Sequence, residues 1–155
     1  MKPEKLKILF LCTGNSSRSQ MAEGWARRLR GDRIEAHSAG TAPKGLDPRA
    51  VSVMVEVGID ISAHTSKSIE SLTHLSFDYV ITVCGHAHEQ CPFFPGKTKI
   101  MHRGFEDPPL LAMDAKSEEE ALIHYRRVRD AIRDFIESLP DSLEGGEAPG
   151  FQLNA

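Results

Sequence analysis

The sequence lacks any run of five like charges, and 19 Lys and Arg against 22 Asp and Glu leave a net charge of −3. It has no basic stripe and no aromatic-basic interleaving, which argues against a nucleic-acid partner. Long apolar runs are missing too. The longest, Ile8-Leu-Phe-Leu-Cys12, holds five residues, far short of the roughly 18 that a membrane-spanning helix needs. Lys2, Lys5 and Lys7 precede that run, but it is too short for a signal segment and no small-residue cleavage site follows it. Cysteine is scarce: three residues, an odd number, fit no disulfide framework. The expectation is a cytoplasmic monomer in a reducing compartment, with no membrane or nucleic-acid partner. What remains is ordinary for a globular chain. With 40% hydrophobic and 26% charged residues, 155 positions suffice for one domain and leave little room for two.

Strands and helices alternate along the chain. Lys7–Cys12 is near-continuously apolar, as a strand covered on both faces should be. A turn-rich loop, Thr13 to Ser19, leads into a helix with Met21, Trp25 and Leu29 four apart and Ala22 and Ala26 beside them, stopped by Gly31-Asp32. Arg33–His37 reads as a short second strand. Asp47-Pro48 reads as an N-cap with proline at the first helical position, opening a helix with Val51, Met54 and Val55 on one face and Gly58 near its end. Phe77–Val83 is a β-branched and aromatic strand, and Lys97–His102 a fourth. Ser117 begins a long helix with an apolar stripe of Tyr125, Val128, Ile132, Phe135 and Leu139, ended by Pro140. The predicted fold is a three-layer α/β/α domain over residues 1–140, with a four-stranded parallel sheet flanked by helices. Residues 141–155, with Gly145-Gly146, Pro149 and Gly150, read as a flexible tail in which Phe151 and Leu153 could dock. In such sheets ligands bind outside the carboxyl ends of strands, and Cys12 and Cys84 each end one.

The strongest motif is Cys12-Thr13-Gly14-Asn15-Ser16-Ser17-Arg18-Ser19. A loop of this kind between strand and helix curls so that successive backbone N–H groups point at one anion. Arg18 adds a planar fork for two oxygens of a tetrahedral oxyanion. Cys12 then lies beneath the anion, where the helix N-terminus, the inward N–H groups and Arg18 all favour a thiolate. The Ser19 hydroxyl can donate a further hydrogen bond to the sulfur. The competing reading is a buried structural thiol before an ordinary turn, but an apolar strand before the loop and an amphipathic helix after it supply the context a cradle requires.

Two other segments stay open on residue type alone. Asp107, in Gly-Phe-Glu-Asp-Pro-Pro, is either a general acid on a proline-braced loop or a turn-forming aspartate. Cys84-Gly-His86-Ala-His88-Glu-Gln-Cys91 carries two cysteines and two histidines, a donor set zinc accepts, although four ligands within eight residues is unusual spacing.

Cys12–Glu23, reading CTGNSSRSQMAE, resembles the active-site loop of thioredoxin-coupled arsenate reductases built on the low-molecular-weight tyrosine phosphatase fold. Ser38-Ala39-Gly40, Ile59–Ser66, Val83-Cys84, Cys91-Pro92, Gly104–Pro108 and Arg126–Asp130 match as well, so the resemblance spans about residues 7–139. It implies arsenate as substrate, with phosphate and sulfate as competing oxyanions. The cradle Thr13, Gly14, Asn15, Ser16, Ser17 and Arg18 binds the anion, Cys12 is the nucleophile and Asp107 the acid. It implies Cys84 as the attacking thiol and Cys91 as the relay to thioredoxin or a similar thiol reductant, with no metal or cofactor in the chemistry. A low-molecular-weight phosphatase acting on phosphomonoesters is the enzyme alternative, since one cysteine suffices for it. A non-catalytic oxyanion- or metal-binding sensor is the alternative outside catalysis. The chain departs from the family at two points. Ser17 stands where many members carry a further cysteine. Some members bind potassium beside the loop through Asn, Glu, Ser and Asp. Asn15, Glu23 and Ser38 match the first three, but Lys67 stands at the fourth, either replacing the cation with its ammonium or simply lying in solvent.

Overall fold

A computed structural model describes residues 4–85, 91, 94 and 96–144. Among them four strands make one parallel sheet: β1 Leu6–Cys12, β2 Ile34–Gly40, β3 Tyr79–Thr82 and β4 Lys99–His102, in the order β2-β1-β3-β4. β1 is a central strand, and Ile8, Leu9, Phe10 and Leu11 are fully buried, which is what a run apolar on both faces demands. Among the described residues the α-helices are α1 Arg18–Arg30, α2 Pro48–Glu56, α3 Pro108–Leu111, α4 Glu118–Glu137 and α5 Asp141–Glu144. Together they form the α/β fold expected from the alternation. None is long and apolar enough to cross a membrane.

The helix signals read from sequence work locally. Asp47 caps α2 by accepting from the Arg49 N–H at 2.9 Å, and Ser117 caps α4 by accepting from Glu120 at 3.1 Å. Trp25 is buried in α1 and its indole N–H donates to the Arg129 carbonyl of α4 at 3.1 Å, joining the two helices. Tyr125, Val128, Ile132 and Phe135 are buried as the stripe predicts.

Several expectations shift. β2 runs on to Gly40, because Ser38, Ala39 and Gly40 pair with Phe10, Leu11 and Cys12; tertiary pairing overrides their weak strand preference. The third and fourth strands are shorter than the segments Phe77–Val83 and Lys97–His102 read for them. α2 buries Ala50, Val53 and Met54, whereas Val55 is exposed. Arg129 is buried too, its guanidinium satisfied by the Val53 carbonyl, Glu56 and Asp130. The tail is not loose from its start: Asp141–Glu144 is helical and Leu143 is buried. Residues 145–155, including Phe151 and Leu153, lie outside the described residues, as do His86 and His88 of the zinc reading.

The register sets the site. Cys12 pairs with Gly40, Leu11 with Thr82, and the Val83 N–H donates to the Leu11 carbonyl at 2.9 Å. Cys12, Gly40 and Cys84 therefore gather at one carboxyl edge of the sheet.

Candidate active site

The loop after β1 is a cradle because its carbonyls are held outward. The N–H groups of Thr41, Ala42, Lys44 and Asp47 donate to the carbonyls of Cys12, Thr13, Gly14 and Ser16, at 3.2, 2.8, 2.9 and 3.0 Å. The Gln20 side chain donates to the Asn15 carbonyl at 3.1 Å, and the Ser17 carbonyl enters α1 through Met21 N at 2.9 Å. Every carbonyl from Cys12 to Ser17 is engaged in this way, so none is left to repel an anion held by the loop. Asn15 supplies the tight bend with φ of +46°, a left-handed conformation that asparagine tolerates better than most residues.

Cys12 is 3% exposed, and its sulfur receives the Asn15 N–H at 3.2 Å and lies 2.9 Å from Ser19 Oγ. The Ser19 hydroxyl is itself placed by its neighbours. Asn15 Nδ2 donates to Ser19 Oγ at 2.9 Å and to Ser38 Oγ at 3.0 Å, while Asn15 Oδ1 accepts from the Lys67 N–H at 2.8 Å. Ser19 thus already accepts a hydrogen bond, and its own proton is free to donate to the Cys12 sulfur. Ser38 in turn donates to Glu23 at 2.6 Å. The Asn15 N–H, the Ser19 hydroxyl and the start of α1 thus converge on this sulfur.

Arg18 sits at the mouth, one nitrogen donating to the Phe105 carbonyl at 3.0 Å and another 3.5 Å from Asp107 Oδ1. The guanidinium is braced by the loop that carries Asp107, and Asp107 is 40% exposed. Cys84 is buried, 3.4 Å from the Thr13 hydroxyl of the cradle. Cys12, Arg18, Cys84 and Asp107 all line one cleft of about 620 Å³. Cys91 does not line it. It is half-buried, and burial pushes its thiol up from the ordinary cysteine range. None of the three cysteines is in a disulfide.

A thiol under inward N–H groups, with an arginine above it, is the site of a phosphatase-type oxyanion loop, and the family model for low molecular weight phosphotyrosine protein phosphatase matches residues 7–146. The chain belongs to that family. Within this phosphatase family its relatives divide by chemistry. The arsenate reductase of Bacillus subtilis is 50% identical over 125 residues, covering 81% of this chain and 88% of its own. The thioredoxin-dependent arsenate reductase of Corynebacterium glutamicum superposes with a TM-score of 0.66 at 25% identity, over 95% of this chain and 66% of that one. The low molecular weight protein tyrosine phosphatase of T. tengcongensis superposes at 0.70 with 28% identity, over 89% of this chain and 99% of its own.

The potassium position of some family members does not fit a cation here. Asn15 Oδ1 is occupied by the Lys67 and Gln20 donors, Glu23 forms an ion pair with Arg27, and Ser38 donates its proton to Glu23. Lys67 adds a second positive charge close to Glu23, and its ammonium donates to the Thr65 carbonyl at 2.8 Å. Loss of hydration pushes the Lys67 pKa down, with Glu23 opposing.

Of the cradle residues read from the sequence, Cys12, Thr13, Gly14, Ser16, Ser17 and Arg18 line the cleft, and Asn15 lies buried behind it. Missing from that reading are Gln20, Thr41, Ala42, Lys44 and Asp47, which hold the cradle from outside. Four of them act through backbone N–H groups and leave no mark in the sequence. Gly40 carries one usable signal, since glycine at a strand end marks a close backbone approach.

Proposed function

We propose that this protein reduces arsenate to arsenite by a relay of three thiols. The observation that carries this reading is Cys84, a second buried thiol on the wall of the oxyanion cleft, in contact with cradle residue Thr13. A phosphatase has no use for it, whereas a two-electron reduction needs an attacking thiol there.

The Cys12 thiolate attacks arsenic in the cradle, forming an S–As bond, and one arsenate oxygen leaves as water after Asp107 protonates it. The N–H groups of the cradle and the unused N–H groups of Arg18 hold the remaining oxygens. The Cys84 thiolate then attacks Cys12 Sγ. An S–S bond forms, the S–As bond breaks, and its electron pair stays on arsenic, which leaves as arsenite. Cys91 attacks Cys84 Sγ, releasing Cys12 as thiolate and leaving a Cys84–Cys91 disulfide. A dithiol partner of the thioredoxin class, as the name of the Corynebacterium glutamicum neighbour suggests, supplies two electrons to reopen it. Bridging Cys84 and Cys91 requires their Cα atoms within about 7 Å.

Hydrolysis of aryl phosphates is the second reading, since the same cradle takes phosphate. Among the described residues no aromatic side chain lines the cleft, so nothing there stacks a phosphotyrosyl ring. Purified protein given arsenate, thioredoxin, thioredoxin reductase and NADPH should release arsenite in step with NADPH consumption, and cleave an aryl phosphate far more slowly. Rapid phosphate release without arsenite formation would reverse the assignment.

A further inference from the structure

Lys44 has no part in the relay and no place in the sequence reading, yet the fold fastens it to the cradle. Its backbone N–H holds the Gly14 carbonyl at 2.9 Å. Its stem lies across Gly14: Cδ and Cγ are 3.2 and 3.3 Å from where a side chain at position 14 would begin. It lines the same cleft as Cys12, Arg18, Cys84 and Asp107.

The carboxylates of that cleft are each engaged by other groups. Asp107 faces Arg18. Asp47 accepts from the Tyr125 hydroxyl at 2.6 Å and from the Arg49 N–H. Among the described residues no carboxylate forms an ion pair with Lys44, so its ammonium is not tied to an acid on the cleft wall. We propose that Lys44 is a further substrate-binding residue, drawing tetrahedral oxyanion dianions into the cradle from its rim. A lysine suits capture better than clamping, because it is a point charge on a flexible stem without the geometry of Arg18. The inference rests on the oxyanion reading of the cradle and deepens it.

The contribution belongs to binding, and salt should screen it. The test uses full-length protein and inorganic phosphate as the probe, read by how far phosphate slows iodoacetamide alkylation of Cys12, alongside arsenate kcat and KM. In Lys44→Met the phosphate concentration giving half-protection and the arsenate KM should both rise by about five- to tenfold, the scale of one charge near a dianion in water. The kcat should change less than KM. Lys44→Arg should restore both values, and the difference from wild type should shrink as ionic strength rises. Half-protection unchanged in Lys44→Met overturns the proposal. So does an equal loss in Lys44→Arg, or a loss indifferent to salt, since either means that the stem merely packs on Gly14. Wild-type protein that shows Lys44-dependent phosphate protection but releases no arsenite would sink the arsenate assignment while leaving Lys44 as an oxyanion-capture residue.

Discussion

Gly40 is the position where a single methyl group should open the cradle. A Cβ there would stand 2.5 Å from the Thr13 carbonyl oxygen, 2.9 Å from the Asn15 nitrogen and 3.0 Å from Asn15 Cβ. The first two are backbone atoms, so no rotamer change relieves the contacts. Ordinary contact begins at 3.4 Å, so Thr13 O must retreat by 3.4 − 2.5 = 0.9 Å. Gly40 cannot back away freely, because its N–H is tied to the Lys67 carbonyl at 2.8 Å and it pairs with Cys12 across the sheet. The strain should cost about 1–3 kcal/mol of stability, a few degrees in melting temperature for a domain of this size. Function should suffer more, since a displacement of about 1 Å at a positioned site can cost on the order of a hundredfold in rate. Gly40→Ala should therefore stay folded by circular dichroism, melt slightly lower, and lose roughly two orders of magnitude in single-turnover arsenite release. Phosphate protection of Cys12 against alkylation should weaken in parallel. A Gly40→Ala protein with near wild-type turnover and melting temperature would show that the cradle is not held by this contact.

Two further outcomes follow from the polar residues behind the cradle. Replacing Lys67 by aspartate puts a second carboxylate near Glu23, Asn15 and Ser38, an oxygen set that suits a hard cation. Lys67→Asp should thus acquire a rate advantage in potassium over sodium at fixed ionic strength, whereas wild type should show little; a strong potassium requirement in the unmodified protein would show that the position still takes a cation. His64 is half-buried against Gln20, and loss of hydration pushes its pKa below the ordinary histidine value, with Glu23 opposing. The unfolded chain binds that proton more readily, so the contribution of neutral His64 is complete above about pH 6.5 and is lost as pH falls below it toward the folded value. Denaturant titrations at pH 7.5 and 5.5 should show a smaller stability drop in His64→Gln than in wild type, and an identical drop would remove His64 from the acid response.

The cradle was legible because its chemistry is contiguous: Cys12, Asn15, Arg18 and Ser19 lie within eight residues of a strand-to-helix turn. Asp47 was legible as a cap because its side chain acts two residues along the chain. Its second task, holding the Ser16 carbonyl with its backbone N–H, was not, since that contact spans the fold and any residue type could make it. The same holds for Thr41, Ala42 and Lys44. Ser38 shows the limit from the other side. Its place in the resemblance marked it, but its part in orienting Asn15, and through Asn15 the Ser19 hydroxyl, emerges only when β2 pairs with β1 as far as Gly40. Arg129 is no part of the apolar stripe, yet it is buried because Glu56, Asp130 and the Val53 carbonyl converge on its guanidinium.

The relay itself is tested most directly by mapping disulfides in Cys91→Ser after one equivalent of arsenate and no reductant. Each step leaves a distinct covalent product, so peptide mapping reads where the electrons came from. The account predicts one equivalent of arsenite released and a Cys12–Cys84 disulfide trapped, with no further turnover when thioredoxin is the only reductant. Arsenite release without that disulfide, or full multiple turnover of Cys91→Ser with thioredoxin, would contradict the three-thiol relay.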